Sequence, residues 1–157
     1  MSTADESTMA SGEGFVHHMM APDEGHGPGI HLSNLGVARV LFEARSTFLS
    51  SLDIEGGIWN QPVIPMIREL LIRYESEVMP GVPLACHIAV VSRSRRAFVM
   101  QESVTDISDP RLIATCRGVH VAVESARGVS VEMPDPLIDA IAAAQGAAIP
   151  TVVAQER

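Results

Sequence analysis

Apolar residues recur at helical spacing in one long stretch of the chain and give way to β-branched, partly alternating stretches after it. From residue 34 to 52 there is no proline and one glycine, Gly36; Leu35, Ala38, Leu41, Phe42, Phe48, Leu49 and Leu52 keep helical spacing, and Val37, Val40 and Ala44 fill other faces. The run predicts a helix that is apolar around most of its circumference and so buried on most sides. Ser33 or Asn34 supplies an N-cap oxygen, and the glycines of the segment 53–57 close the helix.

Residues 15–21 read as a short first strand, and 22–29, with three glycines and two prolines, as a loop. Four longer strands are predicted after the helix, over 63–78, 84–92, 97–105 and 111–124. Their turns fall at Met79-Pro80-Gly81, at Arg93 to Arg96 and at Ser108-Asp109-Pro110. A last short strand is expected at 129–133. Asp135 then reads as an N-cap with Pro136 at the first helical position, Leu137, Ile138, Ile141 and Ala144 form the stripe, and Gly146 ends the helix. The class is α+β.

Composition narrows the partners. At 157 residues the chain fits one domain. It is placed at 15–146, between a small, polar, acidic tail over 1–14 that reads as disordered and a C-terminal tail over 147–157. Net charge is −8, and all 11 basic residues are arginine. So acidic a chain repels phosphate backbones, which argues against nucleic acid. Cys86 and Cys116 lie in apolar runs without a CxxC partner, so neither a disulfide framework nor a thiolate metal site is expected. His17 and His18 are adjacent on a strand and point to opposite faces, so no metal is expected there either. No apolar run reaches membrane length and the N-terminus is not a secretory signal, so a cytoplasmic protein is expected.

Strand, glycine-rich loop, long apolar helix and four antiparallel strands is the element order of the hotdog fold, an antiparallel sheet wrapped around one central helix. His31-Leu32-Ser33-Asn34 followed by Leu41-Phe42-Glu43-Ala44-Arg45 resembles the "GHVNNA…YFEEAR" signature of hotdog acyl-CoA thioesterases, with the same spacing from His31 to Arg45. Tyr74, Met79-Pro80-Gly81 and Val90 to Arg96 are similar to that family's "Y…PGD…VVRIGRSS". Leu112-Ile113-Ala114 is similar to its "RLVA", and Val131 to Ile141 to its "PLPDELREAI". Val78 to Val82 also matches a string of hotdog dehydratases, but a strand rather than the central helix follows it here. The family resembled is the 4-hydroxybenzoyl-CoA thioesterase type.

The resemblance implies hydrolysis of an acyl-CoA or acyl-carrier-protein thioester at sites on a dimer interface. It further implies a homodimer or homotetramer, and no cofactor beyond the coenzyme A or phosphopantetheine of the substrate itself. The family's carboxylate usually stands four residues before the histidine, where this chain has Gly27; Asp23 and Glu24 are the nearest carboxylates. A buried helix start offers free amides and a positive dipole end to an oxyanion. His31 is then a base or orienting group, Asn34 a donor, and Asp23 or Glu24 the catalytic carboxylate, unless they merely cap the helix or face solvent. Arg93, Arg95 and Arg96 are either a solvated turn or contacts for CoA phosphates. Glu43 and Arg45 are polar residues in this mostly buried helix; an ion pair, Arg39 and Glu43 being i,i+4 neighbours, or an interface contact is expected of them rather than a catalytic charge. Gly27 also motivates a different reading, a non-catalytic hotdog that binds acyl thioesters or serves as an assembly subunit.

Overall fold

In the computed structural model, which describes residues 14–152, the apolar run forms helix α1 (Asn34–Ser50). The rest is β1 (Phe15–Met20), β2 (Val63–Tyr74), β3 (Pro83–Arg93), β4 (Ala97–Asp106), β5 (Arg111–Glu124), β6 (Val129–Ser130) and helix α2 (Asp135–Gln145). All pairings between named strands are antiparallel, in the order β1-β3-β4-β5-β2, and β6 pairs with the end of β5. This is the hotdog arrangement. Most of the tail expected at 1–14, and residues 153–157, lie outside the described residues.

Period-two alternation in the central strands makes the core. Leu84, Cys86, Ile88 and Val90 of β3, Phe98, Met100 and Val104 of β4, and Ala114, Cys116 and Ala122 of β5 turn inward onto Val40, Leu41, Ala44 and Phe48 of α1. Asp106 ties the β4–β5 turn by accepting from the Ser108 hydroxyl (2.7 Å) and the Ser108 and Asp109 amides. Toward the C-terminus, Ile149 is buried and Thr151 forms a parallel bridge with Arg93. Among the described residues, no helix is long and apolar enough to cross a membrane.

Strands β1, β3 and β4 match the sequence reading to within a residue at each end and β6 stops at Ser130 rather than 133, while three other boundaries differ for a visible reason. Helix α1 stops before the glycines, because the Ser51 amide closes onto Thr47 and Phe48 carbonyls and its hydroxyl donates to Phe48 O at 2.7 Å. Gly56 and Gly57 instead bend the chain, at φ 80° and 81°, into a short 3-10 turn (Ile58–Asn60) that buries Ile58. Strand β2 ends at Tyr74 rather than 78, since the Glu75 and Ser76 amides turn onto Ile113 O and Val78 tucks under the start of α1, accepting from Leu32 N–H. Pro134, not Asp135, is the N-cap of α2, with Asp135 in its first turn.

Helix α1 is also less enclosed than expected. Leu35 is 75% and Phe42 61% exposed, because the sheet of one chain covers only one side of the helix. On the neighbouring β2, whose outer edge pairs with no other strand among the described residues, Met66, Ile67, Leu70, Leu71 and Tyr74 are exposed as well. Ile67, Leu70 and Tyr74 share the α1-facing side of β2 and form one open apolar band with Leu35 and Phe42, while Met66 and Leu71 lie on the other face of the strand.

Candidate active site

The N-terminus of α1 opens into a cavity of about 320 Å³ lined by His31, Asn34, Val37, Tyr74, Glu77 and Val78, among others. Ser33 is the N-cap, and its hydroxyl accepts from Gly36 N–H at 3.1 Å. Asn34 is the first helical residue, so it is not the cap; its carbonyl accepts from the Tyr74 hydroxyl at 3.4 Å. With Gly36 N–H taken by the cap and Val37 N–H by Ser33 O, the Asn34 and Leu35 amides have no partner among the described residues at the positive end of the helix. His31 Nδ1 lies 3.7 Å from Glu77 Oε2, with both side chains well exposed.

The loop brings Glu24 back to this helix end, but to the flank away from that cavity. Its carboxylate accepts from Ser33 N–H at 2.8 Å and from the Ser33 hydroxyl at 2.7 Å, with His26 Nε2 at 3.4 Å. The Ser33 backbone and hydroxyl donors hold its pKa below the usual carboxylate range. It occupies the space a side chain at Gly36 would need: a Cβ there would overlap the Glu24 carboxylate. A side chain at Gly36, whose φ is ordinary, would therefore have to push the Glu24 carboxylate aside and disturb its bonds to Ser33. Asp23 stands apart, exposed beside a separate surface hollow with Gly27 and Pro80, and bonds only the nearby Gly25 amide.

The arginines are not part of this cluster within one chain. Arg93 ends β3 and Arg95 and Arg96 form the β3–β4 turn, whereas α1 begins near Val78, at the other end of that strand. Eleven residues of strand put roughly 35 Å between the two ends. Arg95 pairs with Glu132 at 2.6 Å, Arg96 is exposed, and the Arg93 Nε is buried with no hydrogen-bond partner among the described residues.

A family model described as the thioesterase-like superfamily matches residues 17–144. The chain belongs to that superfamily. No curated protein matches by sequence. Among solved structures, a 1,4-dihydroxy-2-naphthoyl-CoA thioesterase from Synechocystis superposes with a TM-score of 0.69 at 16% identity, covering 81% of this chain and 94% of that one. A hypothetical protein from Staphylococcus aureus in complex with CoA gives 0.75 at 16% identity over 92% and 90%. A 12:0-ACP thioesterase from Umbellularia californica gives 0.68 at 15% identity, over 83% of this chain and 50% of its own.

Sequence reasoning passed over three polar residues that the superfamily fold places on α1's flank. Glu77 is one, hidden within a segment read as strand. Glu102 and His120 are the others, and their signal was alternation: each stands in an inward row that is otherwise apolar or small, Phe98-Met100-Glu102-Val104 and Ala114-Cys116-Gly118-His120-Ala122. Arg45, expected to contribute to an ion pair or interface, is buried and donates to Glu102 at 2.9 Å. The Arg39–Glu43 pair is replaced by Glu43 beside His17, at 3.5 Å. Burial, and then the charge of Glu102, push both the Cys86 and Cys116 thiols up to about 12, so neither is a ready nucleophile.

Proposed function

We propose that the chain hydrolyses acyl thioesters at the N-terminal cavity of α1. The observation that carries this is the convergence of Asn34, at the positive end of α1, with the His31–Glu77 pair on one cavity, in a chain of the thioesterase-like superfamily. In this reading the thioester carbonyl accepts from the Asn34 amide and from the Asn34 side chain, which stabilise the oxyanion as it forms. His31, oriented by Glu77, takes a proton from a water that attacks the carbonyl carbon. The tetrahedral intermediate collapses by breaking its carbon–sulfur bond, and His31 returns the proton to the departing thiolate, leaving a carboxylic acid and a free thiol. Glu24 acts by holding Ser33 and the first turn, and Asp23 has no part.

The open β2 edge supports a homodimer. A second copy added antiparallel through β2 would extend the sheet and cover the apolar band. The two-fold axis of such a pair carries the arginine turn of one copy to the end of the sheet at which the other copy's α1 begins. That placement supports Arg93, Arg95 and Arg96 as contacts for the phosphates of coenzyme A. It also supports a site completed at the interface.

The test is thiol release from a panel of short, long and aromatic acyl-CoAs, with acyl carrier protein thioesters as a second arm. Turnover that is lost in His31→Ala supports the proposal. Saturable binding of acyl-CoA with no thiol release from any member would refute it in favour of the non-catalytic binding module.

A further inference from the structure

A second pocket, about 450 Å³, opens at the far half of α1, between Phe42, Ser46 and Leu49 of the helix and Trp59, Pro65 and Ile67 across from it. Its walls are apolar but its floor is not. Arg45 and His120 both line it, and they are only 4% and 1% exposed. The Nε of Arg45 and both ring nitrogens of His120 are buried with no hydrogen-bond partner among the described residues. Buried polar atoms are normally satisfied, so three orphaned nitrogens at one pocket floor call for an explanation.

The pocket lies along the same groove as the proposed catalytic cavity. In β5, Cys116, Gly118 and His120 face α1, for Arg45 reaches Cys116 Sγ at 3.9 Å. Ile67 pairs with His120 and Leu70 with Gly118, so the row Ile67, Leu70, Ile72 and Tyr74 of β2 faces the helix too, kept in register by the bulge between Ile67 and Glu69. Tyr74 belongs to the catalytic cavity and Ile67 to the second pocket. From Gly36 to Arg45 the helix rises about 14 Å, a span that suits a medium-length acyl chain.

The charge of the floor decides which end group fits. Arg45 is already paired with Glu102 at 2.9 Å; burial pushes the Glu102 pKa up while the Arg45 charge pulls it back, and its second oxygen is unpartnered among the described residues. Burial, then the Arg45 charge, pull the His120 pKa down to about 4 against a smaller opposing effect from the Gly118 backbone, so the ring is neutral and offers one donor and one acceptor. A carboxylate would leave an uncompensated negative charge in an apolar pocket. A hydroxyl or keto oxygen would accept from Arg45 Nε–H and pair with His120 at no charge cost.

We infer that this pocket receives the far end of the acyl group and selects chains that carry a neutral oxygen there. The inference rests on the thioesterase reading for the acyl chain's origin, but the pocket's preference is measurable without turnover.

The experiment compares CoA thioesters of matched medium length that end in methyl, hydroxyl or carboxylate. Each is assayed for kcat/KM, and the corresponding free acids are titrated by calorimetry. The hydroxyl-ended member is expected to exceed both others by about tenfold or more, the worth of a satisfied buried hydrogen bond. His120→Phe keeps the ring and removes its nitrogens, and should bring the hydroxyl-to-methyl ratio toward one. Ser46→Phe, on the partly exposed helix face, narrows the pocket and should depress all medium chains relative to acetyl-CoA, a check that survives if His120→Phe fails to fold. Hydrolysis without the hydroxyl preference, or a preference that persists in His120→Phe, overturns the inference and leaves the catalytic reading intact. Preferential binding of the hydroxyl-ended acid without thiol release would do the opposite.

Discussion

The two ends of α1 hold similar chemical groups in opposite surroundings. At the start, His31 and Glu77 stand 3.7 Å apart with water around both. Further along, Arg45, Glu102 and His120 are sealed beneath the helix, and only one of their contacts, Arg45 to Glu102, is a well-formed hydrogen bond between charged groups. Exposed polar groups are satisfied by solvent and cost the fold little. Buried ones must satisfy one another, and here they do so incompletely. The first end is therefore cheap to alter and central to the proposed chemistry, whereas the second is dear to alter and shapes what the groove accepts.

Substitutions that separate activity from stability break this comparison most directly. His31→Ala should lower kcat/KM for thioester hydrolysis about 10²- to 10⁴-fold, the usual worth of a general base, while its unfolding free energy stays within about 0.5 kcal/mol of the parent. Thiol-release kinetics and urea unfolding, done side by side, check both halves. Glu102→Ala should reverse the pattern by stranding the Arg45 guanidinium. A loss of about 3–5 kcal/mol is expected in the same urea titration.

Acid titration sharpens the contrast further. The His120 pKa lies at about 4 in the folded chain, below its ordinary 6.5, because burial and then Arg45 disfavour the charged ring. The unfolded chain thus binds the proton more readily, so stability is lost as pH falls from 6.5 to about 4. The size of that loss is roughly 3 kcal/mol. His120→Phe should flatten the curve across this window and raise stability at pH 5, and unfolding measured at several pH values will show whether it does.

The smallest effect is a change of sign. Gly36→Ala would favour a helix by up to about 1 kcal/mol on propensity alone. Here its methyl group meets the Glu24 carboxylate, so the substitution should destabilise the parent chain yet stabilise the Glu24→Ala variant. A double-mutant cycle in thermal unfolding reads that coupling. Equal effects in both backgrounds would mean that Glu24 does not press on the first turn.

How much of this was legible in the sequence follows the physics of each part. The helix and long strands were, since periodicity reports which face is buried, and the boundaries of 111–124 agree with those of β5. Ends governed by a single side chain were not: Ser51 closing α1 and Val78 folding under it depend on contacts the local pattern does not encode. His31 and Asn34 share a cavity as the motif spacing suggested. Glu24 returns to the same helix end through a glycine-rich loop whose path no periodicity predicts. Glu77 was masked because strand and loop were read as one run. Glu102 and His120 were visible as polar breaks in apolar rows, but their meeting with Arg45 needed three separate elements brought together.

Strand β2 has a consequence for the chain as it is newly made. Its outer edge, which pairs with no other strand among the described residues, runs beside exposed Met66, Ile67 and Leu71 and is a ready template for the wrong neighbour, so a newly made chain that leaves it open is an aggregation hazard. Arg68 and Glu69, set among these residues, act as gatekeepers. Neutralising them should show first as a falling soluble yield, with native stability little changed.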